Sequence, residues 1–193
     1  AARDPLPGAG RAGPASRVSA AVEAPAPAAG PGARRRAVLA ALLVAVLAYA
    51  LDQLTKLWVE TTMELGDSVT VVPGLLRWHY ILNPGAAFSI GEDHTWVFTV
   101  IQAVVAVAAV VGIVRARSLP WALALGGLAG GVLGNLTDRL FRPPSFGQGH
   151  VVDMISVPRF AVFNVADSFI VCSILAIAFL VMTGRRLDGT REA

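Results

Sequence analysis

The stretch AVLAALLVAVLAYALDQLTKLWV, residues 37–59, is 23 residues long and carries only two charged side chains, Asp52 and Lys56. Wound as an α-helix it extends about 34 Å at 1.5 Å per residue, enough to cross a hydrocarbon core of about 30 Å. Three further apolar blocks follow, at about residues 96–114, 119–136 and 160–183. Four such blocks predict an all-α membrane protein with four transmembrane helices, organised as one membrane domain over residues 37–186. Composition points the same way. Of 193 residues 55% are hydrophobic and 15% charged, and mean hydropathy is +0.62, whereas ordinary soluble domains carry about 25% charged residues.

Outside this domain the chain changes character. Residues 1–36 are rich in Pro, Gly and Ala and contain no aromatic side chain, so they cannot bury enough surface to offset the entropy of ordering. We expect a disordered tail there, and a second short tail over residues 187–193. The first tail ends in Arg34-Arg35-Arg36, directly before the first apolar block. Three arginines, an apolar run and Ala48-Tyr49-Ala50 also have the layout of a cleavable secretory signal. That alternative competes with a retained first helix.

The net charge is +3, but the basic residues form no stripe interleaved with aromatics, so no nucleic-acid partner is expected. Their distribution instead sets an orientation. Arg34, Arg35, Arg36, Arg115, Arg117, Arg185, Arg186 and Arg191 fall at one end of the spans, and Lys56, Arg77, Arg139, Arg142 and Arg159 at the other. By the positive-inside rule both termini are expected in the cytoplasm, with residues 60–95 and 137–159 outside. The single cysteine, Cys172, lies in an apolar block, which leaves no disulfide framework and no cysteine-based metal site.

The outward segment 60–95 contains Ser68-Val69-Thr70-Val71-Val72-Pro73-Gly74 and Leu75-Leu76-Arg77-Trp78-His79-Tyr80-Ile81-Leu82, followed by Asn83-Pro84-Gly85. β-Branched and aromatic residues bounded by Pro-Gly turns predict short strands, a small extracytoplasmic β-rich sheet lying at the membrane interface. An ordinary surface hairpin without a role fits the same signals.

Ionisable groups within or at the rim of spans are costly, about 2.5–3.5 kcal/mol for Asp at a helix centre, so each needs a reason. Asp52 and Lys56, spaced i, i+4, read as a structural ion pair. Two Asn-x-x-Asp patterns stand at the end of the third span (Asn135, Asp138) and the start of the fourth (Asn164, Asp167), and Asp153 lies between them in Val151-Val152-Asp153-Met154. Two neighbouring carboxylates cannot both ionise cheaply, so one holds a proton while the other stays charged. Such a pair can activate water for attack on a carbonyl, one member as base and the other as acid. The residues alone do not select which acids form it, and Asp138 beside Arg139 also reads as a salt bridge. Two other functions fit intramembrane acids: a proton-coupled transporter, and a noncatalytic scaffold held by polar helix contacts.

Ser168 has no Lys or His at an activating spacing. His79, His94 and His150 are scattered and form no ligand pattern, so neither a metal nor another cofactor is expected. The glycine stretch 126–134 is apolar and lacks Gly-Lys-Ser/Thr, so it reads as a close helix-packing surface rather than a phosphate loop.

Five blocks in order carry a resemblance: Asp52-Gln53-Leu54-Thr55-Lys56; Asn83-Pro84-Gly85-Ala86-Ala87-Phe88-Ser89; Gly134-Asn135-Leu136-Thr137-Asp138-Arg139; Val151-Val152-Asp153; and Phe163-Asn164-Val165-Ala166-Asp167-Ser168. Together they resemble the lipoprotein signal peptidases, bacterial signal peptidase II, over about residues 37–186. Because the match runs through the first helix, that helix is expected to be retained. The resemblance implies an aspartyl endopeptidase of the bacterial cytoplasmic membrane. It would remove signal peptides from diacylglyceryl-modified prolipoproteins, cutting before the lipidated cysteine, and be inhibited by globomycin. It implies catalytic Asp153 and Asp167, with Asn83, Asn135, Asp138, Arg139 and Asn164 binding substrate or supporting the site. Residues 60–95 would form the family's cradle and membrane-lying half-helix. Prolipoproteins and membrane lipids are the expected partners, and a monomer is assumed.

Overall fold

The computed structural model describes residues 31–85 and 94–191. Four helices, α1 (Pro31–Thr62), α2 (Thr95–Arg115), α3 (Leu119–Phe141) and α4 (Val165–Met182), are each long and apolar enough to cross a membrane. A three-stranded antiparallel sheet, β1 (Ser68–Val72), β2 (Leu76–Asn83) and β3 (Val151–Ser156), lies in the order β1-β2-β3. It stands where α1 and α3 end and α4 begins.

Helix α3 is the axis of the bundle, with 72% of its span buried against 22%, 17% and 17% for α1, α2 and α4. Its glycines explain how the other helices come so near. A Cβ on Gly126 or Gly130 would run into the α1 backbone at Ala41 and Ala45, and one on Gly134 would meet Asp52 Oδ2 at 2.5 Å. One residue round the helix, a Cβ on Gly127 would meet Ser173 Oγ at 2.6 Å, and one on Gly131 the Ala166 carbonyl at 2.7 Å. The glycine run is therefore a two-sided packing surface, with 126, 130 and 134 against α1 and 127 and 131 against α4.

Three helix boundaries differ from expectation. Helix α1 begins at Pro31, so Arg34, Arg35 and Arg36 are helical rather than part of a tail. Proline is tolerated in a first turn, and Arg34 Nε donates to the Val114 carbonyl at 3.0 Å, satisfying the end of α2. The expected tail over residues 1–30 lies outside the described residues. Helix α3 continues past Leu136 to Phe141, because Asp138 and Arg139 are buried and internally bonded instead of marking exit to water. Helix α4 begins at Val165, not near Phe160, because Asn164 and Asp167 form a capping box that fixes its first turn.

Residues 183–191 fold back on the far end of the bundle: Leu187 O accepts from the N–H groups of Arg117 and Ser118, and Arg185 O from Trp121 Nε1 at 3.0 Å. Strands β1 and β2 occupy the expected segment. Strand β3 was not expected; it pairs with β2 from Arg77↔Ser156 to Asn83↔Val151, and its Val152 and Met154 form a small buried cluster with Val59 and Tyr80. Part of the expected half-helix, and residues 86–89 of the Asn-Pro-Gly block, fall on residues 86–93, outside the described residues.

Candidate active site

Sheet pairing delivers Asp153. Its neighbour Val152 donates its N–H to Asp138 Oδ2 at 3.2 Å, so α3 holds the strand at this point. Asp153 is then held on both oxygens, by Asn83 Nδ2 at 2.9 Å and Asn164 Nδ2 at 2.6 Å. Asp167 comes from the first turn of α4. Its Oδ2 accepts from the Asn164 N–H at 3.1 Å, its Oδ1 from Asn135 Nδ2 at 2.8 Å, and its own N–H donates to Asn164 Oδ1 at 2.9 Å. Asn164 therefore ties both carboxylates to one residue.

Behind this pair lies a buried ion network. Lys56 Nζ sits 2.8 Å from Asp52 Oδ2 and 2.8 Å from Asp138 Oδ2, and donates to Asn135 Oδ1 at 2.9 Å, with all three charged side chains sealed from solvent. Asp52 also accepts the Ala166 N–H at 2.9 Å, satisfying a first-turn donor of α4 at the positive end of its dipole. Asp138 pairs in addition with Arg142 Nε at 2.7 Å, and Arg142 reaches Glu60. The salt bridge expected between Asp138 and Arg139 does not form. Adjacent residues on a helix point about 100° apart, and Arg139 turns the other way, toward the strand end.

There the Arg139 guanidinium donates to the carbonyls of Asn83 at 3.1 Å, Pro84 at 2.8 Å, Gly149 at 3.1 Å, and Gly85. It clamps the chain leaving β2 against α3, with the Phe98 ring 5.8 Å from its Cζ.

Asp153 and Asp167 both line a cavity of about 590 Å³, together with Asn83, Asn135 and Arg139. The rest of its wall is largely apolar: Phe98 of α2, Phe160 to Phe163, and Val171 and Cys172 of α4. Burial pushes the Asp153 carboxyl up to about 7, and the charge of Asp167 adds to this, against hydrogen bonds from Asn83 and Asn164 and the charge of Lys56. Ser168 also lines the cavity, but its hydroxyl donates to the Asn164 carbonyl at 3.1 Å. His79 Nδ1 lies 3.0 Å from the Asp67 carbonyl, outside this site.

The profile described as Signal peptidase (SPase) II matches residues 44–183. The chain belongs to the signal peptidase II family. A lipoprotein signal peptidase of Leifsonia xyli subsp. xyli is 43% identical over 183 residues, covering 93% of this chain and 82% of that protein. One of Streptomyces coelicolor is 48% identical over 159 residues, covering 82% and 77%. Two solved structures described as bacterial membrane enzymes, obtained by the in meso method, align with TM-scores of 0.68 and 0.65. Their identities are 30% and 31%, and they cover 79% and 74% of this chain and 93% and 92% of those chains. As a signal peptidase II, the protein is a multi-pass membrane peptidase.

The signal peptidase II match spans all nine residues singled out in the sequence. The structure brings Asn83, Asn135, Arg139, Asp153 and Asp167 to the wall of one cavity, buries Asn164 behind the two aspartates it bonds, and sets Asp52, Lys56 and Asp138 in the ion network beyond. Sequence reading missed Gln102. Its Oε1 and the Arg139 Nε are buried without hydrogen-bond partners among the described residues, and both side chains line the cavity. A signal existed: Gln102 is the sole polar side chain between Val100 and Val114 in an otherwise apolar span.

Proposed function

We propose that this signal peptidase II cleaves the signal peptide from diacylglyceryl-modified prolipoproteins, immediately before the lipidated cysteine, by water activated between Asp153 and Asp167. The observation that carries this reading is the placement of both carboxylates on one largely apolar cavity, cross-bonded through Asn164.

Asp153, with a carboxyl raised to about 7, holds a proton near neutrality. Asp167 is the ionised partner, fixed by Asn135 and the Asn164 N–H. Asp167 takes a proton from water as the oxygen attacks the scissile carbonyl, and Asp153 hydrogen-bonds the carbonyl oxygen where negative charge develops. As the C–N bond breaks, the proton held by Asp167 passes to the leaving nitrogen, and the dyad returns to its starting state. Gln102 Oε1 and Arg139 Nε, without partners among the described residues and on the same wall, suit the backbone N–H and C=O groups of an extended signal peptide. The dyad is read as facing outside, since the sheet end holds the smaller share of Lys and Arg.

The test mixes purified protein with a diacylglyceryl-modified prolipoprotein in detergent or liposomes and follows gel mobility. Wild type should cleave and globomycin should block it, while Asp153→Asn and Asp167→Asn should each lose at least about 10³-fold in rate yet keep their helical content. Normal turnover by either variant removes that residue from the dyad. Absence of cleavage by folded wild type would turn attention to ion flux through the same acids.

A further inference from the structure

A second cleft, of about 550 Å³, lies on the sheet beyond the catalytic cavity, and the two share the Phe160 side chain. Thr70, Arg77 and Ser156 are direct cross-strand partners on β1, β2 and β3, so their side chains stand in one row on one face. All three line the cleft, and Arg159, from the connection after β3, lines it from the side. Arg159 holds its place with φ at 62°, the left-handed region that non-glycine residues seldom adopt.

The side chains of Arg77 and Arg159 form no salt bridge or hydrogen bond among the described residues, and no acidic side chain lines the cleft. Elsewhere at this end of the molecule, Lys56, Arg139 and Arg142 are all engaged internally. Two guanidinium groups without an acidic partner among the described residues, flanked by two hydroxyls, make a donor set for a phosphate.

The surroundings identify the phosphate's carrier. Leu75 and Phe160, both in the cleft wall, are each 62% exposed; outside the cleft the edge strand β1 also exposes Val69 on the sheet's other face and Val71 and Val72 at its bulge. An apolar edge strand is an aggregation hazard in water, but not in the headgroup layer at the end of four membrane-spanning helices. Apolar side chains beside paired arginines match an amphiphile with acyl chains next to its phosphate, not a free ion. We propose that Arg77, Arg159, Thr70 and Ser156 form a site for the phosphodiester headgroup of an anionic membrane lipid, seating the sheet on the bilayer next to the catalytic cavity.

The inference rests on the membrane setting and not on the dyad. Phosphatidylglycerol is titrated into the full chain in uncharged detergent, read by native mass spectrometry and by thermal unfolding, with phosphatidylcholine and inorganic phosphate as separate arms. Wild type should bind phosphatidylglycerol saturably, and Asp167→Asn should bind it equally well. Arg77→Gln and Arg159→Gln should each weaken binding about fivefold, and the double variant about thirtyfold, at one basic side chain's usual weight near an anionic surface. Arg77→Lys with Arg159→Lys should recover most of the affinity, which separates lost charge from lost fold. Equal binding of phosphatidylcholine, or undiminished binding by the double variant, overturns the site. Inorganic phosphate competing at lipid-like concentrations overturns the lipid assignment.

Discussion

Asn164 links the two aspartates more closely than any other residue: its amide donates to Asp153, its backbone N–H to Asp167, and its side-chain oxygen accepts the Asp167 N–H. Removing it in Asn164→Ala should cost about 1 kcal/mol of helix capping, but lower the cleavage rate far more than that stability loss explains. The pH profile discriminates the two effects. Activity in the proposed mechanism needs the proton on Asp153, so the rate should fall as pH rises through about 7. A hydrogen bond donated to a carboxylate favours its charged form and lowers its pKa. Taking away the donor, in Asn164→Ala or Asn83→Ala, should therefore move the alkaline limb to higher pH. A limb that stays in place, or moves down, would separate Asp153 from the proton that controls the rate.

At the scale of elements, α3 is fixed by what it lacks. Gly130→Leu would drive a side chain into Ala45 and Ala48 of α1; overpacking of this kind costs about 1–3 kcal/mol, against a gain of about 1 kcal/mol in helix propensity. Thermal unfolding in detergent should show a lower midpoint, with cleavage falling as α1 shifts Lys56 away from Asn135. An unchanged midpoint would mean that the two helices do not depend on this contact. The stripe was legible in the sequence as a packing surface, and so were the four spans and the β1–β2 hairpin, each announced by a local pattern of apolar, β-branched or Pro-Gly residues. Strand β3 was not. Val151-Val152-Asp153-Met154 is buried on both faces, so it shows no alternation, and its partner β2 lies some seventy residues earlier in the chain. The same blindness hid the last turn of α3: Asp138 and Arg139 read locally as a span's polar end, and it takes distant partners, Lys56, Arg142 and the Val152 N–H for the one and the Asn83–Gly85 and Gly149 carbonyls for the other, to make their burial possible. For the site, the polar residues were visible as costly exceptions, yet their grouping depended on family resemblance, because geometry between distant segments is not encoded in spacing.

For the whole molecule, the arrangement of helices decides how a membrane-anchored substrate would meet the proposed dyad. Helices α2 and α4 both pack on α3, and the cavity lies between them, walled by Phe98 and Gln102 on one side and Ser168, Val171 and Cys172 on the other. Both helices otherwise turn apolar side chains outward, including Val100, Val104, Val107, Ile174 and Leu175, so in a bilayer the gap between them would open to lipid and not to an aqueous vestibule. A peptide could then reach Asp153 and Asp167 while its acyl chains remain in the bilayer. Cys172 tests this geometry. It is exposed on the cavity wall, five residues beyond Asp167 and therefore about 7.5 Å further along the helix axis. That is the depth at which acyl chains would run. A bulky maleimide on Cys172 should raise KM for lipidated substrate strongly, while Cys172→Ala should cleave normally and ignore the reagent. Substrate or globomycin present during labelling should slow the modification. Full activity after complete labelling would instead put the acyl chains on another face of the bundle, and with them the route by which substrate leaves the bilayer.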